Sequence, residues 1–260
     1  MITSTNSSKV KYIVKLQQKA RFRHQEGLFV CEGKRLVAEV PPDLLQEIYV
    51  TQEFLEAGDG TFQSGAAVET VSGEVMAKMA GTVHPQGILA VVQKPKWLLE
   101  DVFKGVPLVV FLENIQDPGN LGTIMRTAEA AGATGVVASP GTVDIFSPKV
   151  VRSTMGSIFR LPYIEAEHFT EAMRQSRKNG IRLFAAVLDA ESRIYDQTDL
   201  AGAAGLVIGN EGAGLTDAAV AACDRKIYIP VSGVESLNAG VAAGVLLFEA
   251  ARQRRYADMV

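Results

Sequence analysis

From residue 107 onward the chain repeats one pattern: a short apolar run, a stretch with helical spacing, then another apolar run. Residues 107–112 (PLVVFL) are apolar throughout, and residues 135–138, 159–164, 182–188, 205–209 and 226–230 repeat the run. A strand covered on both faces has no polar side to show, so a continuous apolar run reads as a parallel strand between helices. Residues 121–131, 147–157, 169–179 and 216–222 supply the helical patterns. Over residues 107–260 the alternation implies an α/β fold, a mostly parallel sheet with helices on both faces.

Residues 1–93 read as a smaller α/β unit. Val10, Ile13, Val14 and Leu16 or Gln17 lie near helical spacing with Lys and Arg on the other side, which predicts one amphipathic helix over residues 8–25. Strands are expected at 28–32, 47–51, 67–71 and 87–92. Helices are expected at 34–40, stopped by Pro41-Pro42, and at 73–79. Residues 58–65, rich in Gly, Ser, Asp and Thr, read as a surface loop. His84-Pro85-Gln86-Gly87 reads as a turn in which the histidine is structural. Residues 94–106 form a linker with one helical turn, giving the division 1–93, 94–106 and 107–260.

Composition narrows the class. With 47% hydrophobic and 7% aromatic residues the chain is not disordered. No apolar run is long enough to span a bilayer and the N-terminus lacks a secretory core, so a cytoplasmic protein without a membrane partner is expected. Cys31 and Cys223 are far apart and match no metal-ligand spacing, so both are expected as buried small side chains, with no disulfide and no metal. The net charge of −3 hides an asymmetry. Lys9, Lys11, Lys15, Lys19, Arg21, Arg23, Lys34 and Arg35 against Glu26 and Glu32 make residues 1–35 net +6, leaving −9 elsewhere. Such a segment attracts a polyanion and positions it; the alternative is a solvated helix face.

Three loops at expected carboxyl-terminal strand ends are the places for chemistry, because ligands of open α/β sheets sit there. The first is 113–120, Glu-Asn-Ile-Gln-Asp-Pro-Gly-Asn. In the helix after it Leu121, Ile124, Met125 and Ala128 form a stripe, and Arg126 lies roughly 140° from Leu121, away from the core; the competing use is a pair with Glu129. The second is Gly209-Asn210-Glu211-Gly212-Ala213-Gly214. Its glycines admit a close ligand, but the spacing is not a dinucleotide fingerprint and no phosphate-loop Lys-Ser/Thr follows; a tight turn before a helix capped by Thr216 also explains it. The third is 232–240, where Ser232 with Glu235 matches a capping box. Ser236 and Asn238 offer a hydroxyl and an amide there, with no histidine nearby for a hydrolytic triad. The helix beyond carries Gly240, Ala243, Gly244 and Ala250, small enough for close packing on another helix or for self-association.

Asn120-x5-Arg126, Ile208-Gly209-Asn210-Glu211-Gly212 and Ile229-Pro230-x5-Ser236-Leu237-Asn238-Ala239, in that order, resemble the three motifs of the SpoU (TrmH-like) RNA ribose 2′-O-methyltransferases of the SPOUT superfamily. Residues 147–152 (SPKVVR) and 84–87 are also similar to two-domain members, and the resemblance spans essentially the whole chain. It implies a trefoil knot, a ribosomal-protein-like RNA-binding domain at 1–93, S-adenosylmethionine among the three loops, and a homodimer through the C-terminal domain. It further implies that Leu188, Gly209, Asn210, Gly212, Ile229, Leu237 and Asn238 hold the cofactor. Arg126, Asn120, Glu211, Ser236 and Asn238 then serve catalysis, and Lys9, Lys11, Lys15, Lys19, Arg21 and Arg23 meet a structured RNA. Ribosomal RNA is expected over transfer RNA from the two-domain layout. The rival readings are a non-catalytic RNA-binding or ribosome-assembly protein on the same fold, and a nucleotide-dependent enzyme on an ordinary doubly wound sheet.

Overall fold

The computed structural model describes residues 1–58, 66–234 and 236–257. In chain order its elements are α1 (Ser8–Gln18), α2 (Ala20–Glu26), β1 (Leu28–Glu32), α3 (Lys34–Ala38), β2 (Leu45–Thr51), α4 (Gln52–Glu56), β3 (Ala67–Val71), α5 (Gly73–Met79) and β4 (Ile88–Gln93). A 3-10 turn, Leu99–Phe103, precedes β5 (Leu108–Leu112), α6 (Pro118–Ala130), β6 (Gly135–Ala138), α7 (Pro148–Thr154), α8 (Ser157–Arg160), β7 (Tyr163–Glu165) and α9 (Phe169–Lys178). The last are β8 (Arg182–Ala186), β9 (Arg193–Ile194), a 3-10 turn Tyr195–Gln197, β10 (Ala204–Ile208), α10 (Asp217–Ala221), β11 (Arg225–Tyr228) and α11 (Ala239–Ala257). Two compact units result: Met1–Lys96 with Asp144–Phe159, and Trp97–Val143 with Arg160–Val260. The loop expected at 58–65 lies almost wholly outside the described residues.

The first unit is a four-stranded sheet in the order β1-β4-β2-β3, with β2 and β3 parallel and the other pairings antiparallel. Val10, Ile13 and Leu16 of α1 pack with Val75, Met76 and Met79 of α5 over Val30, Tyr49, Leu89 and Val91. The single helix expected over 8–25 is two helices, because Lys19 is extended (φ −121, ψ 105). The break frees carbonyls at the end of α1. Arg23 answers them: its guanidinium donates to the Leu16 and Gln17 carbonyls at 2.6 and 3.1 Å and to Asp144 at 2.7 and 2.9 Å. At 4% exposure Arg23 is an internal tie, which corrects its assignment to the RNA-facing set.

Residues 144–159, with the helix expected at 147–157, belong to this unit. Phe29 on β1 meets Phe146 and Phe159 at ring-centroid distances of 5.0 and 6.1 Å. The buried Glu32 carboxylate accepts from the Gly81 N–H at 2.8 Å and faces Arg152 at 3.8 Å. The strand expected at 159–164 is a correction too. After α7 ends at Met155 and Gly156 in left-handed conformations (φ 50 and 90), Ser157–Arg160 coils, and the strand starts only at Tyr163. A short buried helical turn and a buried strand have the same apolar signature.

The second unit holds a seven-stranded sheet, β7-β6-β5-β10-β8-β11-β9, in which every pairing is parallel. Val109, Phe111, Val137, Leu183 and Val207 pack on one face against Phe169, Ala172 and Met173 of α9 and Ala219 of α10. The alternate residues Leu108, Val110 and Leu112, also fully buried, turn to the layer of α6 and α11. These strands are covered on both faces, as their unbroken apolar runs require. In α11 the small residues face α6: a Cβ on Gly240 would stand 3.4 Å from the Thr123 methyl and one on Gly244 3.6 Å from that of Thr127. The glycines therefore serve a helix pair inside the chain, and self-association needs another surface.

Cys31 is buried as expected, whereas Cys223 is only half-buried. Burial pushes Cys31 far above the ordinary thiol range and Cys223 up to about 12. A thiolate is the reactive form, so a disulfide-exchange reagent at pH 8 is expected to titrate well under one thiol in the native protein. The denatured chain releases both. Rapid native reaction of Cys223 would contradict its placement.

Candidate active site

Parallel strands bring their carboxyl-terminal ends to one edge of the second unit's sheet, and all three candidate loops leave from it. The loops after β5 and β10 are joined at their roots, where the Glu113 N–H donates to the Ile208 carbonyl at 2.9 Å. Asn114 turns back in the left-handed region (φ 57), its N–H donating to the Ser139 hydroxyl at 2.8 Å. Its carbonyl accepts from the Asn210 amide at 2.9 Å. The other end of that amide, Asn210 Oδ1, accepts from the Gly212 and Ala213 N–H groups at 2.9 Å each, and Asn210 and Gly214 exchange backbone bonds of 3.1 and 2.9 Å. This closed turn leaves no room at Gly209, where a Cβ would stand 2.3 Å from the Gly214 carbonyl carbon. The Glu113 carboxylate fixes the turn's far side, accepting from the Thr216 N–H and hydroxyl at 2.8 and 2.7 Å. Thr216 in turn caps α10 by accepting from the Ala219 N–H.

A polar chain crosses between the loops. Asp117 caps α6, accepting from the Asn120 N–H at 2.8 Å, which fixes Asn120 in the first turn with its amide projecting outward. Asn120 Nδ2 donates to the Glu211 carboxylate, and Asn120 Oδ1 accepts from Asn238 Nδ2 at 2.9 Å. Asn238 Oδ1 accepts from the Gly240 and Val241 N–H groups at 2.9 and 3.2 Å, so the same side chain starts α11. Residues more than ninety positions apart thus share one hydrogen-bonded line, Glu211–Asn120–Asn238. The capping box expected from Ser232 and Glu235 falls on Glu235, outside the described residues.

Beside this line opens an apolar cleft. Leu188, Tyr228, Ile229, Val231, Ser236 and Leu237 line it, over a floor that includes the fully buried Ile227 and Leu246. Leu188 stands at the mouth of this cleft, 70% exposed. Among the described residues the backbone N–H groups of Leu188, Ile229 and Leu237 make no hydrogen bond. Apolar walls with unpaired backbone donors at the rim suit a flat heteroaromatic ligand carrying hydrogen-bonding edges.

Arg126 is exposed on α6, while Leu121, Ile124, Met125 and Ala128 are fully buried, as the helical angle requires. The pairing with Glu129 does not form; Glu129 binds Arg160 instead. Among the described residues Arg126 has no hydrogen-bond or ion-pair partner, and it lies outside the cleft lining. Lys9, Lys11, Lys15, Lys19 and Arg21 are exposed on α1, α2 and the break between them, Lys9 being held by Glu69. Three contributors went unassigned in the sequence: Glu113, Asn114 and Tyr228. The first two stand in a loop already singled out, but only the left-handed turn at Asn114 and the reach to Thr216 show their use.

Comparison with known proteins agrees with this geometry. Residues 107–248 match the SpoU rRNA Methylase family and residues 7–90 an MRM3-like substrate binding domain. The chain belongs to the SpoU rRNA methylase family. Among relatives, the 23S rRNA (guanosine(2553)-2'-O)-methyltransferase RlmP of Bacillus subtilis is 33% identical over 95% of this chain and 97% of its own length. An rRNA methyltransferase from Sinorhizobium meliloti, solved with AdoMet bound, superposes with a TM-score of 0.85 at 32% identity, covering 96% of this chain and 97% of that one. The SpoU methyltransferase AviRb of Streptomyces viridochromogenes, also in complex with AdoMet, gives 0.83 at 27% identity, covering 96% and 99%.

This SpoU methylase is therefore an RNA ribose 2′-O-methyltransferase, and the methyl donor of such enzymes is S-adenosylmethionine. The residues present fit that cofactor. The apolar cleft with free N–H groups at Leu188, Ile229 and Leu237 suits an adenine, and Gly209 keeps the turn after β10, the strand next to β8, closed on Gly214 and Leu215. No helix among the described residues is long and apolar enough to cross a membrane.

Proposed function

We propose that this SpoU methylase 2′-O-methylates a ribose in structured ribosomal RNA. The observation that carries the reading is the Glu211–Asn120–Asn238 line, which draws all three motif loops together beside the apolar cleft. The match of residues 7–90 to a substrate binding domain and relatives named for guanosines of 23S rRNA support ribosomal RNA as the substrate. Residues 1–93 then deliver the RNA through Lys11, Lys15, Lys19 and Arg21, and residues 107–260 carry the chemistry.

S-adenosylmethionine supplies an electrophilic methyl group, so the protein needs to place a ribose hydroxyl and manage its charge. Leu188, Ile229 and Leu237 hold the adenosyl part through backbone groups, with Gly209, Asn210 and Gly212 shaping the loop beside it. A guanidinium holds its proton firmly and is a poor base. Arg126 therefore acts as a fixed cation that stabilises negative charge developing on the 2′-oxygen. Asn120 and Asn238 keep the loops in register, Glu211 anchors them, and Ser236 at the cleft's rim orients the ribose. In-line positioning supplies much of the remaining acceleration.

The same reading includes the knot of the family, a cytoplasmic enzyme, and a homodimer. α11 leaves Val241 and Phe248 53% and 51% exposed, two turns apart on one face, which a second copy would cover. The decisive experiment is mass-spectrometric mapping of ribose methylation in ribosomal RNA from cells with and without the protein. One 2′-O-methylated nucleotide is expected to disappear and to return with the wild-type chain. An unchanged map would overturn the substrate.

A further inference from the structure

Positive charge gathers at one more place, the sheet edge of the second unit opposite the active-site loops. Residues 36–260 carry a net −9, yet Arg182, Arg225 and Arg193 open the strands β8, β11 and β9, which are neighbours in the sheet. The last turns of α9 add Arg174, Arg177 and Lys178 at the same end. Two adjoining cavities of about 270 and 530 Å³ share Asp224 as a wall; Arg193 and Arg225 line the first, and the other four cations line the second.

The scaffold is rigid. Asp224 exchanges backbone and side-chain bonds with Leu183, both 2.8 Å, and its second oxygen holds Arg177. Arg182 is held by Asp199 at 2.8 Å and Arg174 by Glu171 at 3.0 Å. An arginine has five N–H donors, so each keeps some for a ligand. Lys178, Arg193 and Arg225 are exposed and, among the described residues, have no partner. Ion pairing explains the others but not these three, whose mutual repulsion brings the fold nothing.

We propose that this edge is a second contact for the RNA backbone, with Lys178, Arg193 and Arg225 binding phosphates while the chemistry proceeds at the opposite edge. Arg193 and Arg225 open adjoining strands about 4.8 Å apart, so their long side chains reach one stretch of backbone, and Lys178 stands at the same end of the sheet. A protein partner fits less well, because protein interfaces centre on apolar and aromatic residues and these cavities are walled mainly by charge. The inference rests on RNA being the substrate. Like any phosphate contact, it positions and does not read sequence.

The test compares wild type with K178E/R193E/R225E, using an in vitro transcript of 23S rRNA as probe between about 50 and 200 mM salt. The expected result is a KM for the transcript raised about tenfold or more with kcat unchanged, and a plot of log affinity against log salt shallower by about two to three. Cofactor binding by calorimetry and thermal melting should match wild type; if the triple variant does not fold, R193Q/R225Q is measured in the same way. An unchanged salt slope and KM overturn the proposal and leave the edge to an acidic protein. If the wild type transfers no methyl group to ribosomal RNA, the substrate reading fails, while the difference in salt slope still decides this one.

Discussion

Replacing Arg126 with alanine is expected to lower kcat for methyl transfer by about two to three orders of magnitude, the loss seen when one donor to a developing oxyanion is removed. S-adenosylmethionine affinity should stay within a few-fold of wild type. The two expectations are separable because Arg126 is exposed on α6 and touches neither the Glu211–Asn120–Asn238 line nor the cleft lining. Its removal also leaves no buried group unpaired, so melting should be unchanged. Lysine at the same position keeps the charge but not the planar fork and should recover part of kcat. Single-turnover methylation with calorimetric cofactor titration measures both quantities. An Arg126→Ala enzyme with wild-type turnover would remove this side chain from the reaction and leave charge stabilisation to another group.

The legible part of this protein is the part governed by periodicity. Val109, Val110 and Phe111 read as a doubly covered strand because no polar residue interrupts them, and Arg126 reads as outward-facing by helical angle alone. What escaped is set by contacts distant in sequence. Residues 159–164 have the composition of a strand, yet Phe159 packs on Phe29, more than a hundred positions away, and the chain coils to deliver it. Arg23 belongs by charge to the basic face of the first helix. A break at Lys19 and an acid at Asp144 draw it inside, and neither is visible in local pattern. In the site, Leu188, Ile229 and Leu237 were expected from the family resemblance alone, and the structure places all three on the lining of one cleft. The partnership of Glu113 with Thr216 and the left-handed turn at Asn114 needed coordinates.

On the proposal that the turn at Gly209 shapes the cofactor's seat, Gly209→Ala is expected to weaken S-adenosylmethionine binding by about 30- to 100-fold. The added methyl would lie 2.3 to 2.6 Å from the carbonyl carbon and oxygen of Gly214 and the nitrogen of Leu215. These are backbone atoms, so no side-chain rotation relieves the overlap. The turn must open, and opening gives up the reciprocal Asn210–Gly214 bonds of 3.1 and 2.9 Å and strains the Asn210 amide bond to Asn114. At about 1 kcal/mol per bond, two or three lost bonds reach that loss, since each 1.4 kcal/mol is about tenfold. Gly212→Ala supplies the control. Its nearest neighbour is 3.6 Å away and its backbone is not left-handed, so affinity should change by less than a few-fold. Calorimetry on both variants, with melting curves to show that the sheet is intact, separates a shaped loop from a merely glycine-rich one. Equal losses at the two positions, or none at Gly209, would mean that the turn does not set the cofactor's seat.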